Sequence, residues 1–412
     1  MSAIRPFRGF RPRPDVAGEV AAPPYDVIST DEARILAAGR PLSFLHVGKP
    51  EIDLDPAIDH YDDRVYRKGC ENLRRLISDG VLVRDATACM YVYQQRMGPH
   101  AQSGVVAACS VREYEQGLIK RHEHTRKDKE DDRTRHVTEC DANAEPVFLT
   151  YRPVADIDAL VDRVRSRAPA CDVVCDDGIG HKVWVVSDPA EVATLVALFA
   201  TVPALYVADG HHRTAAAVRH GVAARAKTTS PRGDEPYESF MAVVFPSDQL
   251  RILDYNRVVR DLNGLTEGAF LDRVRERFDV SQATGPRPHD PTTFGMFFQG
   301  KWWRLAARPG TYPEHDPVAG LDVSILQDNL LGPILGIADP RTDKRIDFVG
   351  GIRGTTALEK RCAAGWAVAF SMFPTSLDQL LAVADAGHVM PPKSTWFEPK
   401  LRSGLVVRLL DE

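Results

Sequence analysis

A mixed α/β fold is predicted by three observations. Apolar runs of strand length alternate with segments whose apolar residues recur at helical spacing. Proline, glycine and short polar stretches punctuate the alternation, and no repeat or low-complexity tract interrupts it. One apolar run, Ala204-Leu205-Tyr206-Val207, passes through Ala208-Asp209-Gly210-His211-His212-Arg213 into a helical segment, which reads as strand, tight turn and helix.

Taken in order, Ile58, Tyr61, Val65, Leu73, Leu76 and Ile77 predict a helix over 54–79, stopped by Gly80. Strand-like runs at 88–95 and 104–112 flank Met97-Gly98-Pro99-His100, which suits a hairpin loop. Asp188-Pro189 opens a helix through Ala200, because Asp caps well and Pro suits the first turn. The result is a β-α-β-α unit ending at the Asp209-Gly210 turn. Residues 228–236 are polar and rich in breakers, a loop able to act as a lid. Phe240–Phe245 returns as a buried strand. From Asp261 to about Leu321 the pattern holds one helix, 267–278, and a hairpin around Gln299-Gly300. Trp302 and Trp303 follow it, one on each strand face. Three segments are expected: a core over 1–260, a small α+β insertion or subdomain over 261–321, and a C-terminal α/β segment over 322–412.

Hydrophobic residues make up 44% of the 412 and charged residues 26%, the balance of a globular chain with a large core. Lys and Arg number 52 against 57 Asp and Glu, a formal charge of −5, so no overall basic field attracts nucleic acid. The N-terminus lacks an apolar h-region and no later run reaches membrane-span length, so a cytoplasmic protein without membrane contact is expected. Seven scattered cysteines form no paired framework, and Cys171 and Cys175 lack the second ligand pair of a zinc site.

Three clusters carry chemistry. In the first, Gly210 turns the backbone, the free amides of the new helix face the turn, and Asp209, His211, His212 and Arg213 converge where an anion would sit. Arg213 can fork onto two phosphate oxygens, and Asp209 can hold a metal ion or accept a proton. The second runs from Arg121-His122-Glu123-His124-Thr125 to Asp132-Arg133. Such a run suits a solvated helix face, but it follows strand residues directly, as a catalytic loop would. His122 and Glu123 can position a hydroxyl or act as base, while Arg126 and Arg133 can clamp phosphates. His122 and His124 also allow metal binding with Asp209 or His211 as a third ligand. The third, Met390–Lys400, holds Lys393, Ser394, Thr395 and Lys400 on a proline-constrained loop with phosphate-binding chemistry but no Walker glycines. Pro23-Pro24-Tyr25-Asp26 is a rigid turn that can present Tyr25 or Asp26 to a pocket.

The Asp-Gly-His-His-Arg turn resembles the signature of the ParB/sulfiredoxin superfamily, which includes partition nucleotide switches, sulfiredoxins and free-serine kinases. His211 stands where sulfiredoxins carry their cysteine, which argues against that chemistry. Ala22–Ser29, Arg121–Thr125, Asp132-Arg133, the turn, and Met390–Thr395 with Pro399-Lys400 together resemble the bacterial and archaeal family known as domain of unknown function 1015. The resemblance implies a ParB/sulfiredoxin-like core elaborated with α+β subdomains, and three loops gathered at one site. It implies a cytoplasmic phosphotransferase with an alcohol acceptor, using ATP or ADP and Mg²⁺ on a small hydroxylated metabolite, free L-serine first among them. Glu123, Asp209, Asp26 and His122 are then the catalytic candidates. Gly210, His211, His212, Arg213, Arg126, Arg133, Lys393, Ser394, Thr395 and Lys400 are the phosphate-binding candidates, with Asp209 on the metal. The partners are a nucleotide and a small molecule, with room for a homodimer. A ParB-type switch without kinase activity and a metal-dependent hydrolase using His122, His124, His211 and His212 are the alternatives.

Overall fold

The computed structural model describes residues 3–410. They form two units, Met1–Leu250 with Pro399–Glu412, and Arg251–Glu398.

The first unit is built on a nine-stranded mixed sheet. Its strands are β1 (Ile4–Arg5), β2 (Met90–Met97), β3 (His100–Ser110), β4 (Ile119–Lys120), β5 (Val147–Tyr151), β6 (Cys171–Val174), β7 (Gly180–Val186), β8 (Leu205–Asp209) and β9 (Ser239–Pro246). They lie in the order β4-β8-β5-β9-β3-β2-β7-β6, with β1 against β3. Pairing is parallel between β4 and β8 and between β5 and β9, and antiparallel elsewhere. The hairpin expected at Met97–His100 is present, with Met97 opposite His100 and Gly98 at φ 58°.

Five longer helices accompany this sheet: α1 (Asp63–Ser78), α2 (Lys127–Cys140), α3 (Ala155–Arg165), α4 (Pro189–Phe199) and α5 (His211–Lys227). Asp188 caps α4 through the amide of Ala190, as its sequence predicts. Helix α1 starts later than expected. Asp55 and Asp59 accept from the amides of Ala57 and Tyr61, holding 55–61 in local turns, and Asp62 then caps Arg64. The apolar faces of α3 and α4 (Ile157, Leu160, Val164, Leu195, Phe199) pack with Val92, Val105, Leu149 and Val244 into one core. Each such side chain contributes about 1.5–3 kcal/mol on burial. Gly221 lets α5 approach the backbone at Tyr237, whose carbonyl would lie 2.4 Å from an added Cβ.

The second unit carries a six-stranded antiparallel sheet. Its strands are β10 (Tyr255–Val259), β11 (Phe278–Gln282), β12 (Thr293–Phe298), β13 (Lys301–Ala307), β14 (Ile346–Gly350) and β15 (Val368–Ser371), in the order β11-β13-β12-β15-β10-β14. Helices α6 (Glu267–Arg277), α7 (Thr356–Ala363) and α8 (Leu377–Asp385) complete it. This division differs from the three segments expected. The hairpin of β12 and β13 pairs with β15, so 261–321 shares one sheet with later strands, and 399–412 returns to the first unit. Pairing with β15 covers the β12 edge that the hairpin would otherwise expose. Among the described residues, no helix is long and apolar enough to cross a membrane.

Candidate functional site

Parallel pairing sets the site. Leu205 lies opposite Ile119 and Tyr206 opposite Lys120, so the segments leaving β4 and β8 emerge side by side. The first carries His122 and Glu123; the second enters the Asp209-Gly210 turn. Strand β8 slips register against β5 between Val207 and Asp209, a local irregularity immediately before the turn. Gly210 has φ 85°, and a Cβ there would sit 3.0 Å from Arg213 Nε. Helix α5 starts at once, and the hydroxyl of Thr214 donates back to the Gly210 carbonyl at 3.0 Å.

Arg213 is buried. Its Nη1 donates to the carbonyl of Pro146 at 2.6 Å, and its Nη2 lies 3.7 Å from the Asp26 carboxylate. Its Nε has no hydrogen-bond partner, and leaving a buried donor unmade costs about 1–3 kcal/mol. Burial alone would discharge the guanidinium, but Asp26, Asp209 and Glu145 outweigh it and hold Arg213 charged. Glu145 is partly buried, and desolvation pushes its carboxyl upward, with Arg213 and Arg133 opposing. It accepts from the Ser403 hydroxyl at 3.0 Å. A cavity of about 20 Å³, room for one water, lies between Arg133, Glu145, Arg213 and Met241.

Asp209 has both oxygens engaged: Oδ1 accepts from the Gly210 amide and Oδ2 from Lys400 Nζ, each at 2.9 Å. Burial would raise the carboxyl, but Lys400 and Arg213 prevail and keep it well below the usual carboxylate range. Magnesium, which the resemblance implies at Asp209, does not fit this arrangement, because the ion would share Oδ2 with an ammonium group.

His122 and His211 meet edge to face, ring centroids 4.5 Å apart at 89°. Burial lowers His122 to about 4; the Val207 carbonyl opposes this without completing a hydrogen bond of normal geometry, and neither ring nitrogen has a partner. Burial, then the neighbouring His122, pushes His211 well below its ordinary value. Its Nδ1 lies 3.9 Å from Glu123, and its Nε2 has no partner. The ligand atoms of His122, Glu123 and His211 all lie within 4.8 Å of one another.

The remaining expected residues fall in different surroundings. His212 accepts from the Arg126 amide at 3.0 Å, whereas Arg126 itself is exposed and forks onto Asp128. Arg133 is buried, ion-paired with Asp132 at 2.8 Å, donating to the Gly48 carbonyl and stacked over Tyr25. His124 is exposed. Lys393, Ser394 and Thr395 belong to the second unit, where Lys393 lies over the Tyr255 ring and Ser394 donates to the Pro391 carbonyl at 2.6 Å. Lys400 belongs to the first unit. Sequence reasoning passed over Glu145, whose only local signal is a carboxylate between Ala144 and Pro146 at the entry to β5.

No curated protein matches the sequence. Among solved structures, a free serine kinase in complex with AMP is similar at 12% identity and a TM-score of 0.35, covering 68% of this chain and 83% of its own. A conserved hypothetical protein from Pyrococcus furiosus matches at 12% identity and 0.35, covering 71% and 93%. SbnI with C-terminal truncation from Staphylococcus aureus matches at 13% and 0.36, covering 74% and 89%. Overlaps of this extent transfer no residue role to this chain. The sequence itself is more telling: its match to the family model described as protein of unknown function (DUF1015) runs over residues 4–324, well over half the chain, and the protein belongs to that family.

Proposed function

We propose that this chain is a nucleotide-dependent phosphotransferase acting on the hydroxyl of a small metabolite, with free L-serine as the first acceptor to test. One observation carries the reading: a buried, charged arginine with an unused Nε donor stands at the first turn of α5. A helix start with an adjacent guanidinium is an anion site, and phosphate satisfies both. Arg213 and the first amides of α5 hold the phosphates in this reading, and Lys400 adds positive charge beside them. The acceptor oxygen attacks the terminal phosphorus, the bond to the bridging oxygen breaks, and Asp26 or Glu123 takes the hydroxyl proton.

The test is incubation of purified chain with Mg²⁺, with ATP or ADP, and with L-serine among a panel of hydroxylated metabolites, followed by mass spectrometry for phosphorylated product. A product whose formation falls at least tenfold in Arg213→Lys supports the reading, since lysine keeps the charge but loses the fork. No product from any donor and acceptor overturns it, and nucleotide bound without turnover returns the chain to a binding switch.

A further inference from the structure

A buried imidazole normally spends its nitrogens on hydrogen bonds. His122 is 1% exposed and His211 6%, yet three of their four ring nitrogens lack a hydrogen-bond partner. The fourth, His211 Nδ1, faces the Glu123 carboxylate at 3.9 Å, too far for a hydrogen bond.

We propose that His122, Glu123 and His211 form a three-ligand site for a divalent transition metal, Zn²⁺ or a similar borderline cation. Two imidazoles and one carboxylate make a donor set such ions prefer, whereas Mg²⁺ favours oxygen ligands. The ligand atoms span up to 4.8 Å, and zinc bonds of about 2.0–2.1 Å need them nearer about 3.3 Å, a closure within reach of small side-chain rotations. The backbone holds them ready. His122 lies two residues beyond β4, His211 opens α5, and the parallel β4–β8 pairing fixes the two exits side by side. Three protein ligands leave a fourth position open for water or a substrate oxygen. The ligands come from the spatially joined His122-Glu123 and His211, not from the His-X-His spacing of His122 and His124. The site stands whether or not the chain transfers phosphate. If it does, Glu123 serves the metal and Asp26 is left as the carboxylate for the acceptor hydroxyl.

The test uses tag-free full-length chain, stripped with chelator and then titrated separately with Zn²⁺ and Co²⁺, with metal content read by mass spectrometry and Co²⁺ by its visible absorption. About one ion per chain is expected. Affinity should fall at least tenfold in His122→Gln and in His211→Gln, fall less in Glu123→Gln, and stay unchanged in His124→Ala. Zinc should also raise the melting temperature of the native chain and not that of His211→Gln. Where a histidine variant does not fold, Glu123→Gln decides, because Glu123 is only partly buried. A stripped chain that takes up neither ion overturns the site, as does uptake that none of the three ligand substitutions weakens. Metal uptake without phosphorylated product overturns the phosphotransferase reading alone.

Discussion

Arg213 and Arg257 are both buried arginines, one in each unit, and their surroundings are opposite. Arg213 has three carboxylates around it, which hold it charged against burial, and keeps an unused donor at Nε. Arg257 donates to the carbonyls of Tyr255 and Lys393, lies over Phe348, and has no carboxylate among the groups that shift it. Burial accordingly lowers it to about 10. Arg213 is compensated by acids but short of a hydrogen bond, which the phosphate of the proposed function would supply. A charge satisfied by main-chain carbonyls ties its own unit together.

The largest expected effect breaks this pair apart. Arg213→Met takes the shared cation from Asp26, Asp209 and Glu145, leaving Asp209 to Lys400 and Glu145 to Arg133, and losing one partner of a buried ion pair costs about 3–5 kcal/mol. Arg257→Met gives up two carbonyl hydrogen bonds, about 1–3 kcal/mol, and removes an uncompensated charge, which offsets part of the loss. Unfolding midpoints in urea should therefore drop further for Arg213→Met. An equal or larger drop at Arg257 would show that the carboxylates around Arg213 do not need it.

Much of the first unit's site was legible because its chemistry is contiguous: Asp209 to Arg213 occupy one turn, between an apolar strand and a helix that both form where expected. The partners were not. Asp209 meets Lys400 across 191 positions, and no local pattern marks that pairing. The dense charge run hid its own counter-ions: Asp128 takes Arg126 and Asp132 takes Arg133. Residues read as a phosphate clamp are engaged locally. In the second unit the helix and hairpin were legible from periodicity and Gln299-Gly300, but the pairing of β12 with β15 was not, because strand order is settled by long-range partners.

A middle-sized effect contrasts the units by pH. His181, buried against Tyr93 and Arg402, is lowered to about 3, chiefly by burial. The unfolded chain binds that proton from about pH 6.5 downward, so His181 costs stability as pH falls from about 6.5 toward 3. Asp322, raised to about 6 by burial while the Thr292 amide opposes, has the reverse sign. The folded chain keeps its proton above the unfolded value near 3.9, so stability is lost as pH rises from about 4 to 6. Between those limits Asp322→Asn should remove a negative slope and His181→Gln a positive one, on the order of 3 kcal/mol for Asp322 and about 5 kcal/mol for His181 at the extreme. Melting temperatures measured from pH 4 to 7 check both, and slopes of the same sign would refute the contrast.

The smallest effect concerns two of the left-handed positions, one in each unit. Gly210, at φ 85°, is crowded by Arg213, and an alanine there would meet both backbone strain and the guanidinium. Lys393 reaches φ 59° with a full side chain, at a strain of about 1–2 kcal/mol that its ammonium on Tyr255 partly offsets, such contacts contributing about 0.5–1 kcal/mol. Lys393→Gly relieves the strain, forfeits the ring contact, and loosens the unfolded chain by about 0.4–1 kcal/mol. These nearly cancel, so the stability derived from the melting curve should change by no more than about 1 kcal/mol in either direction. Gly210→Ala should cost more, because nothing at that turn compensates a Cβ. If Lys393→Gly proved the more damaging of the two, the Lys393 side chain would be holding more of its unit than the Tyr255 ring, and the loop would belong with Arg213 among residues whose charge is needed where it stands.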